Sequence, residues 1–386
     1  MAAGSAAPAV AADPGDHGLR DRVHRDAGAH LSAAGADPRA HGRAPWLIGA
    51  NAATMPVGMI LAAPLAPRLM RRWGGLRLTA ASLLVSTLCL LAIGALAQAL
   101  AWMPLRLLMG LALACILVVT ETWINEIVGD DMRGRVVGFY SAVLSAGFAL
   151  GPALLALVGS RGWTPFVLGA ALPLLALVPL VAVRARLPAA APADTAVSVW
   201  SMLPLAPLLL VCVAAVALAD EGAMSFLPIY ALRHGYTEHA GTVLLVVMIV
   251  GSVSLQYPVG WLADRVRRST VMAGCAVAAA ASAAAFPLLA DTPALFAGAV
   301  FLWGGVYYGI YVLALIRLGE AFRGNALVAG NAAFAAMWGI GGIAGSAVVG
   351  GAMSALGAEG FVVVFVLVFA AIAFAVAAGA RRDAAT

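Results

Sequence analysis

Five ionisable residues lie inside stretches of the chain that are otherwise apolar, and they are its first candidates for chemistry. Arg106, Glu121 and Glu126 share one stretch, and the adjacent acids Asp220 and Glu221 interrupt another. A charge within a membrane-length apolar stretch is costly, so it is retained where it binds a solute, carries a proton or pairs with another charge. These residues therefore indicate solute or proton binding inside a membrane.

Helix geometry decides which of these side chains can act together. Fifteen residues separate Arg106 from Glu121, which on a helix is about 60° of rotation and about 22 Å of rise, so both can face one cavity. Asn125 follows Glu121 by one turn and extends the same face. For Glu121 we weigh a cavity role against a buried partnership with an arginine of another helix, whereas Glu126 fits a cap near the membrane interface.

The adjacent acids of the second stretch cannot both face the same way. Neighbouring residues of a helix point about 100° apart, so at most one of Asp220 and Glu221 is expected to face the central cavity, and the other to lie near its outer rim. An unpaired carboxylate there suits a group that binds and releases a proton. Other polar and aromatic residues could line the cavity, with interface anchoring as the alternative for the tryptophans: Trp303, Tyr307, Tyr308, Tyr311, Asn331 and Trp338.

The sequence contains no pattern of an enzyme or a metalloprotein. The four cysteines lie inside apolar stretches without paired spacing, so we expect neither disulfides nor a metal site: Cys89, Cys115, Cys212 and Cys275. No nucleophile with a matching base is present either. We therefore expect no catalytic residue, no metal and no cofactor.

The elements that position these residues are membrane helices. The chain is 63% hydrophobic and only 11% charged, far from the composition of soluble domains. About 20 apolar residues span a bilayer as a helix. Eleven such segments are predicted, near 46–67, 78–99, 103–127, 136–159, 164–183, 203–231, 240–262, 270–289, 294–316, 326–355 and 361–379.

The arginines predict the orientation of these segments. They concentrate in the links after the first, third, fifth, seventh and ninth segments and in the tail, whereas the opposite links carry only Arg161 and Arg233. By the positive-inside rule the arginine-rich side is cytoplasmic, which places the C-terminus inside. The net charge of +5 is thus a topology signal, and we expect no nucleic-acid partner. Residues 184–200 are predicted to form a cytoplasmic linker between two bundles.

An internal repeat relates the two bundles at an offset near 193 residues. Residues 260–268 have the form G-x-x-x-D-R-x-x-R, with Gly260, Asp264, Arg265 and Arg268 as its fixed positions. Moving back 193 residues gives a degraded copy in which Arg71 stands in place of the acid, and only Arg72 and Gly74 match. A second pair of matches has nearly the same offset, since Gly147 and Gly151 recur as Gly341 and Gly345. Two matches at one offset predict pseudo-symmetric halves.

Over residues 46–380 this pattern resembles the major facilitator superfamily, in which two six-helix bundles are joined by a cytoplasmic linker. The family signature G-x-x-x-D-R-x-G-R lies in the cytoplasmic links between helices 2 and 3 and between helices 8 and 9; here Arg267 replaces its second glycine. Arg106 to Gly110 resembles the R-x-x-x-G of the family's fourth helix, and Gly147 to Pro152 its glycine-proline motif on the fifth.

The resemblance implies specific roles for these motifs. Gly260, Asp264, Arg265 and Arg268, with Arg72 and Gly74, would form a cytoplasmic gate that latches the two halves, the alternative being a plain topogenic loop. Gly147, Gly151, Pro152, Gly341 and Gly345 would permit close helix packing. Residues 46–183 would form the N-terminal bundle, with family helices 2–6, and residues 201–380 the C-terminal bundle, with helices 7–12.

Residues 1–45 occupy the position of the family's first helix but cannot span a membrane. They contain five Arg, five Asp and four His, and each central Asp or Arg costs about 2.5–3.5 kcal/mol on insertion. The repeat places the start of the first helix near residue 9, so the spacing is kept while the apolar character is lost. We interpret the segment as translated out of frame. A genuine disordered or amphipathic N-terminus is the alternative.

The sequence as a whole predicts an all-α integral membrane protein with 11 of the usual 12 helices of that family. We expect a monomeric, proton-coupled secondary transporter of the bacterial inner membrane, embedded in the lipid bilayer, that moves a small solute by alternating access. An acidic, apolar cavity would suit amphipathic or cationic compounds leaving the cell, whereas Arg106 would suit an organic anion; we expect export. The alternative is a membrane protein that does not transport, either an inactive product without the first helix or a sensor.

Overall fold

The computed structural model describes residues 45–96, 98–129, 131–158, 162–186 and 198–383. These residues form eleven long helices and no strand, which confirms the predicted all-helical fold. The helices are α1 Pro45–Trp73, α2 Gly75–Ala95, α3 Ala99–Ile127, α4 Arg133–Val158, α5 Thr164–Ala182, α6 Pro207–Arg233, α7 Glu238–Ala263, α8 Arg268–Leu289, α9 Pro293–Ala321, α10 Gly324–Leu356 and α11 Gly360–Asp383. Residues 1–44, and with them the predicted gap of the first helix, lie outside the described residues.

The helix boundaries follow from ordinary start and stop signals. Pro207 and Pro293 occupy the first turns of α6 and α9, where a missing backbone N–H costs nothing. At the start of α7 the Thr237 side chain accepts a hydrogen bond from the backbone N–H of Ala240 at 3.2 Å, a normal N-cap. Gly74 joins α1 to α2 with φ of 79°, a conformation that glycine adopts without strain.

Most of the helices are long and apolar enough to cross a membrane. By length and composition, nine segments of the described residues qualify as spans, and the last of them, Gly324–Gly379, contains both α10 and α11. Helix α4 is not among the nine, and it packs between α7 and α9. A bundle of such spans satisfies its backbone hydrogen bonds within each helix, as lipid requires.

The internal repeat is visible in the packing of equivalent helices. Helix α1 packs on α3 as α7 packs on α9, and α2 contacts α3 and α5 as α8 contacts α9 and α11. A methyl group at Gly58 would lie 2.1 Å from the Leu107 carbonyl oxygen, and one at Gly251 would lie 2.0 Å from that of Phe301. Glycines 193 residues apart therefore make the same backbone contact, which supports the pseudo-symmetry predicted from the sequence.

The two halves, α1–α5 and α6–α11, meet along two seams. In the first, α10 of the second half packs on α1 and α3; in the second, α4 of the first half packs on α7 and α9. The C-terminal ends of α1, α3, α5, α7 and α9 lie at one end of the bundle, which we call the arginine-rich end. Residues 184–186 and 199–201 of the predicted linker form short 3-10 turns, and a four-residue helix, Met202–Leu205, precedes α6.

Candidate functional site

The centre of the candidate site is a carboxylate that is bonded across the two halves. Glu121 of α3 is 2% exposed, and the hydroxyl of Tyr311, on α9, donates a hydrogen bond to its Oε1 atom. A hydrogen bond to an ionised acceptor is roughly twice as strong as one between neutral groups. The protonation state of Glu121 therefore sets the strength of a direct bond between the halves.

A second acid–tyrosine pair, within the second half, lies one turn away along α9. The hydroxyl of Tyr307 donates to Oδ1 of Asp220, on α6, at 2.7 Å. Tyr307 and Tyr311 are four residues apart on α9, so they lie on one helix face with about 6 Å of rise between them. Helix α9 thus presents two hydroxyls to two acids, one from each half.

Aromatic rings surround the Glu121 carboxylate. The ring centroids of Tyr311 and Trp338 are 5.3 Å apart at an angle of 75°, and those of Tyr308 and Trp338 are 5.9 Å apart at 61°. A cavity of about 20 Å³, counted as space open to the centres of water molecules, is lined by Leu117, Glu121, Tyr311, Phe334, Ala335 and Trp338. Its wall is therefore apolar and aromatic, with one acid.

The other predicted binding residues have different surroundings. Glu221 lies beside α10, with its Cγ atom 3.3 Å from where a methyl group on Gly342 would be. The Asn125 side chain is 1% exposed, and its amide has no hydrogen-bond partner among the described residues. Arg106 lies nearer the other end of α3, half-buried. Of the five predicted residues, Glu121 and Asp220 are thus the two that the tyrosines of α9 bring together.

Further polar contacts join the halves between this centre and the arginine-rich end. Asn331 of α10 donates to the Thr122 hydroxyl of α3 at 2.9 Å. Gln256 of α7 donates to the Ser145 hydroxyl of α4 at 2.8 Å. Each seam therefore contains a buried side-chain hydrogen bond in the part of the bundle nearer the arginine-rich end.

At the arginine-rich end a single carboxylate binds the start of α4. Asp264, whose side chain is 4% exposed, accepts hydrogen bonds from the backbone N–H of Gly134 at 2.7 Å and of Arg135 at 3.0 Å. The Nε atom of Arg135 donates to the same carboxylate at 3.2 Å. An acid at a helix N-terminus satisfies free N–H groups and the helix dipole together. We call this contact the Asp264 latch.

Glycines allow the helices of the latch to touch. A methyl group at Gly260 would lie 2.1 Å from the carbonyl oxygen of Gly134, so a larger residue would push α7 away from α4. The two arginines of the motif act elsewhere. Arg265 stacks over the Trp261 ring at 3.7 Å, and Arg268 forms an ion pair with Glu320.

The degraded first copy of the motif occupies the equivalent place at the other seam. Arg71, 193 residues before Asp264, lines a small cleft with Asn325 and Val328 at the start of α10. Arg72 is exposed at the end of α1. The positive side chain of Arg71 lies near a helix N-terminus, where the dipole favours a negative charge. The equivalent positions of the two seams, Arg71 and Asp264, thus carry opposite charges.

The predicted packing glycines differ between the halves. Methyl groups at Gly341 and Gly345 would lie 2.1 Å from the Ala214 carbonyl oxygen and 2.5 Å from that of Leu218, so these glycines permit the close contact of α10 with α6. At Gly147 and Gly151 of α4 a methyl group would meet no described atom within 4 Å. Their packing role, and that of Pro152 in the same helix, stays a prediction.

Several residues of the site were not identified by their sequence pattern. The link between α3 and α4 indicates only topology from its arginines, although it leads into Gly134 and Arg135. The apolar helices contain Thr122, Gln256 and Ser145 without any motif that distinguishes them. One signal was available, because glycines at 134 and 138 are spaced by one turn as close-packing glycines are. Among the described residues, no group of three or more His, Cys, Asp and Glu could hold a metal.

Comparison with known proteins identifies the family. The sequence profile of the Major Facilitator Superfamily matches residues 34–346. The chain belongs to the major facilitator superfamily. An uncharacterised transporter of this family from Bacillus subtilis (strain 168), YfkF, is 25% identical over 300 residues, which cover 75% of each chain. Membership confirms the resemblance drawn from the motifs.

Solved structures of this superfamily have the same fold. The fucose:proton symporter FucP of E. coli superposes with a TM-score of 0.71 at 16% identity, over 86% of this chain and 90% of that one. The human organic anion transporter MFSD10 has a TM-score of 0.67 at 14% identity, over 93% and 91%. As a member of the superfamily, this chain is a multi-pass membrane protein among transporters of small molecules.

Proposed function

We propose that this chain is a proton-coupled secondary transporter that exports a small solute by alternating access. The hydrogen bond between Glu121 and Tyr311 carries the proposal. It joins α3 of one half to α9 of the other at a buried acid, and no ion pair to Glu121 is found among the described residues. Protonation of Glu121 therefore changes a contact between the two halves, which must move relative to each other during transport.

Protonation would act on this contact in one direction. The ionised carboxylate accepts a charge-assisted hydrogen bond from Tyr311, which favours the arrangement in which the halves meet here. The neutral acid accepts a weaker bond, so the same arrangement loses stability. A ligand or proton shifts a two-state equilibrium only by its differential affinity for the two states. Glu121 supplies that difference, whereas Asp220 and Tyr307 both belong to the second half, so the hydrogen bond between them does not join the halves.

The Asp264 latch would act as the gate at the arginine-rich end. By the positive-inside rule that end faces the cytoplasm of the bacterial cell, which places the C-terminus inside. The buried hydrogen bond of each seam and the latch itself lie on the arginine-rich side of the bundle, as expected for a state closed to the cytoplasm. Gly260 and Asp264 hold this state, and release of Asp264 from α4 would open the cytoplasmic side. We propose that the protein works as a monomer.

The experiment measures distances between the halves as pH changes. Spin labels at exposed Arg77 and Thr270, which are 193 residues apart, report on the arginine-rich end, and labels at exposed Gln98 and Asp291 report on the other end. Between about pH 5 and about pH 9, the two pairs should change in opposite directions, one widening as the other narrows. Distances that do not respond to pH at either end would contradict the proposal.

A matched pair of variants locates the response. Glu121→Gln removes the titrating group from the contact between the halves and should abolish the pH dependence. Glu238→Gln removes an exposed acid at the start of α7 and should leave it intact. Loss of the response in both variants, or in neither, would show that Glu121 is not the coupling group.

A second candidate function is that of a membrane protein that does not transport. The polar composition of residues 1–45 favours it, because a central Asp or Arg is costly in a membrane span. For such a protein the spin-label distances would stay fixed at every pH, so the same experiment separates the two candidates.

A further inference from the structure

We propose that the cavity beside Glu121 selects aromatic or amphipathic organic cations as the transported solute. This inference rests on the proposed function and names the substrate class of the same site. It is carried by the combination of a buried acid without a basic partner and aromatic rings that wall the same cavity.

The charge of the cavity is the first argument. Glu121 is buried, and it takes no part in the ion pairs found among the described residues at Asp264, Glu359 and Glu320. A buried carboxylate is costly unless an opposite charge or hydrogen bonds compensate for it. Tyr311 supplies one hydrogen bond and no charge. A cationic solute would supply the missing charge, and a proton would supply it when the solute is absent.

The ring faces are the second argument. Tyr311, Trp338 and Phe334 line the cavity together with the acid, and the planes of Tyr311 and Trp338 meet at 75°. An aromatic face attracts an ammonium or phosphonium group, and apolar walls favour a solute with hydrocarbon around its charge.

The second acid extends the site along α9. Asp220 is bonded to Tyr307, one turn from Tyr311, and Tyr308 lies between them with its ring 5.7 Å from that of Tyr311. About 6 Å of helix rise separates the two tyrosines. A solute with one positive charge could therefore pass from one acid to the other while it keeps contact with aromatic rings.

The opposite solute charge is disfavoured at this place. Arg106, the basic residue of α3, lies fifteen residues from Glu121, or about 22 Å along the helix. An organic anion placed in the cavity would meet the carboxylate first. Because of this separation, the charge of the solute that binds tests the proposal directly.

The test compares two probe ions of the same shape. Binding of tritiated tetraphenylphosphonium and of tritiated tetraphenylborate to the purified full-length chain is measured by scintillation proximity, which counts only ions held by the protein. We expect saturable binding of the cation and none of the anion. Saturable binding of the anion alone would overturn the proposal and would favour organic anions.

Variants of the lining residues test whether the cation binds in this cavity. Glu121→Gln should weaken cation binding at least about tenfold, and Trp338→Leu about 2- to 30-fold. The controls Glu238→Gln and Trp163→Leu change an exposed acid and an exposed tryptophan outside the cavity, and should bind as the unmodified chain does. Equal losses in the controls would overturn the assignment to this cavity.

The spin-label experiment distinguishes a failure of this inference from a failure of the proposed function on which it rests. If neither ion binds while the two ends still respond to pH in opposite directions, the substrate class is wrong and the transporter proposal stands. If neither ion binds and the distances stay fixed, both are wrong.

Discussion

Removal of one charge at the Asp264 latch should open the arginine-rich end of the protein. In Asp264→Asn one oxygen can still accept from Gly134, but an amide NH₂ group faces the two N–H donors of Arg135, which now have no acceptor. The bonds at 3.0 and 3.2 Å are lost, and hydrogen bonds to a charged group contribute about 1.5–3 kcal/mol each. Part of this is recovered by hydration once the end opens, so we expect a net shift of about 2 kcal/mol, or roughly 30-fold in the ratio of open to closed states.

Thiol labelling can measure this shift directly. Ser141 is fully buried and lies on the face of α4 that meets α7, between Gly138 and Ser145. In a chain whose native cysteines are replaced, the Ser141→Cys thiol reacts with a water-soluble reagent only when this seam opens. Where opening is fast, its labelling rate follows the open fraction and should rise roughly 30-fold in Asp264→Asn.

The control for this experiment is an exposed acid at the other end, altered in Asp291→Asn. It should leave the labelling rate unchanged. A rate that rises no more in Asp264→Asn than in this control would refute the role of the latch.

Three further predictions concern the second seam, the packing glycines and the tyrosine of the central pair. Arg71→Asp places a carboxylate at the start of α10, where its interaction with the helix dipole should stabilise the closed state by about 1 kcal/mol. The open fraction in the same labelling assay should then fall about fivefold, and an unchanged rate would exclude a latch at this seam. Gly345→Ala forces a methyl group to 2.5 Å from the Leu218 carbonyl oxygen and should destabilise the fold by about 1–3 kcal/mol, whereas Gly351→Ala, with open space around it, should not; thermal unfolding in detergent distinguishes them. Tyr311→Phe keeps the ring but removes the hydroxyl, so the spin-label distances should respond less to pH while cation binding is retained; an unchanged pH response would count against the hydrogen bond as the coupling contact.

The fold could be predicted from the sequence because lipid imposes a simple rule on it. Apolar segments of about 20 residues must be helices, and the 193-residue repeat ordered them into halves. Helix ends were less accurate. The first apolar segment predicts a helix near 46–67, but α1 continues through Arg68 and Arg71 to Trp73. Hydropathy marks the part of a helix that meets lipid, whereas backbone hydrogen bonding continues into the interface.

The site could be predicted in part for a related reason. Glu121 and Asp220 were recognised because a charge in an apolar span is costly wherever it points. Their tyrosine partners could be named only as cavity candidates, since pairing depends on how α3 and α6 are placed against α9. The partner of Asp264 was missed for the same reason: Arg135 is 129 residues away in the chain, and its own link carries no distinguishing motif.

The most direct test of the account concerns Glu121 itself. Spin labels at Arg77 and Thr270 should give one distance distribution for the unmodified chain at about pH 9 and a different one at about pH 5. In Glu121→Gln the side chain is neutral at every pH, so the account predicts that its distribution at the alkaline pH matches that of the unmodified chain at the acidic pH. A Glu121→Gln distribution that still changes with pH as the unmodified chain does would contradict it.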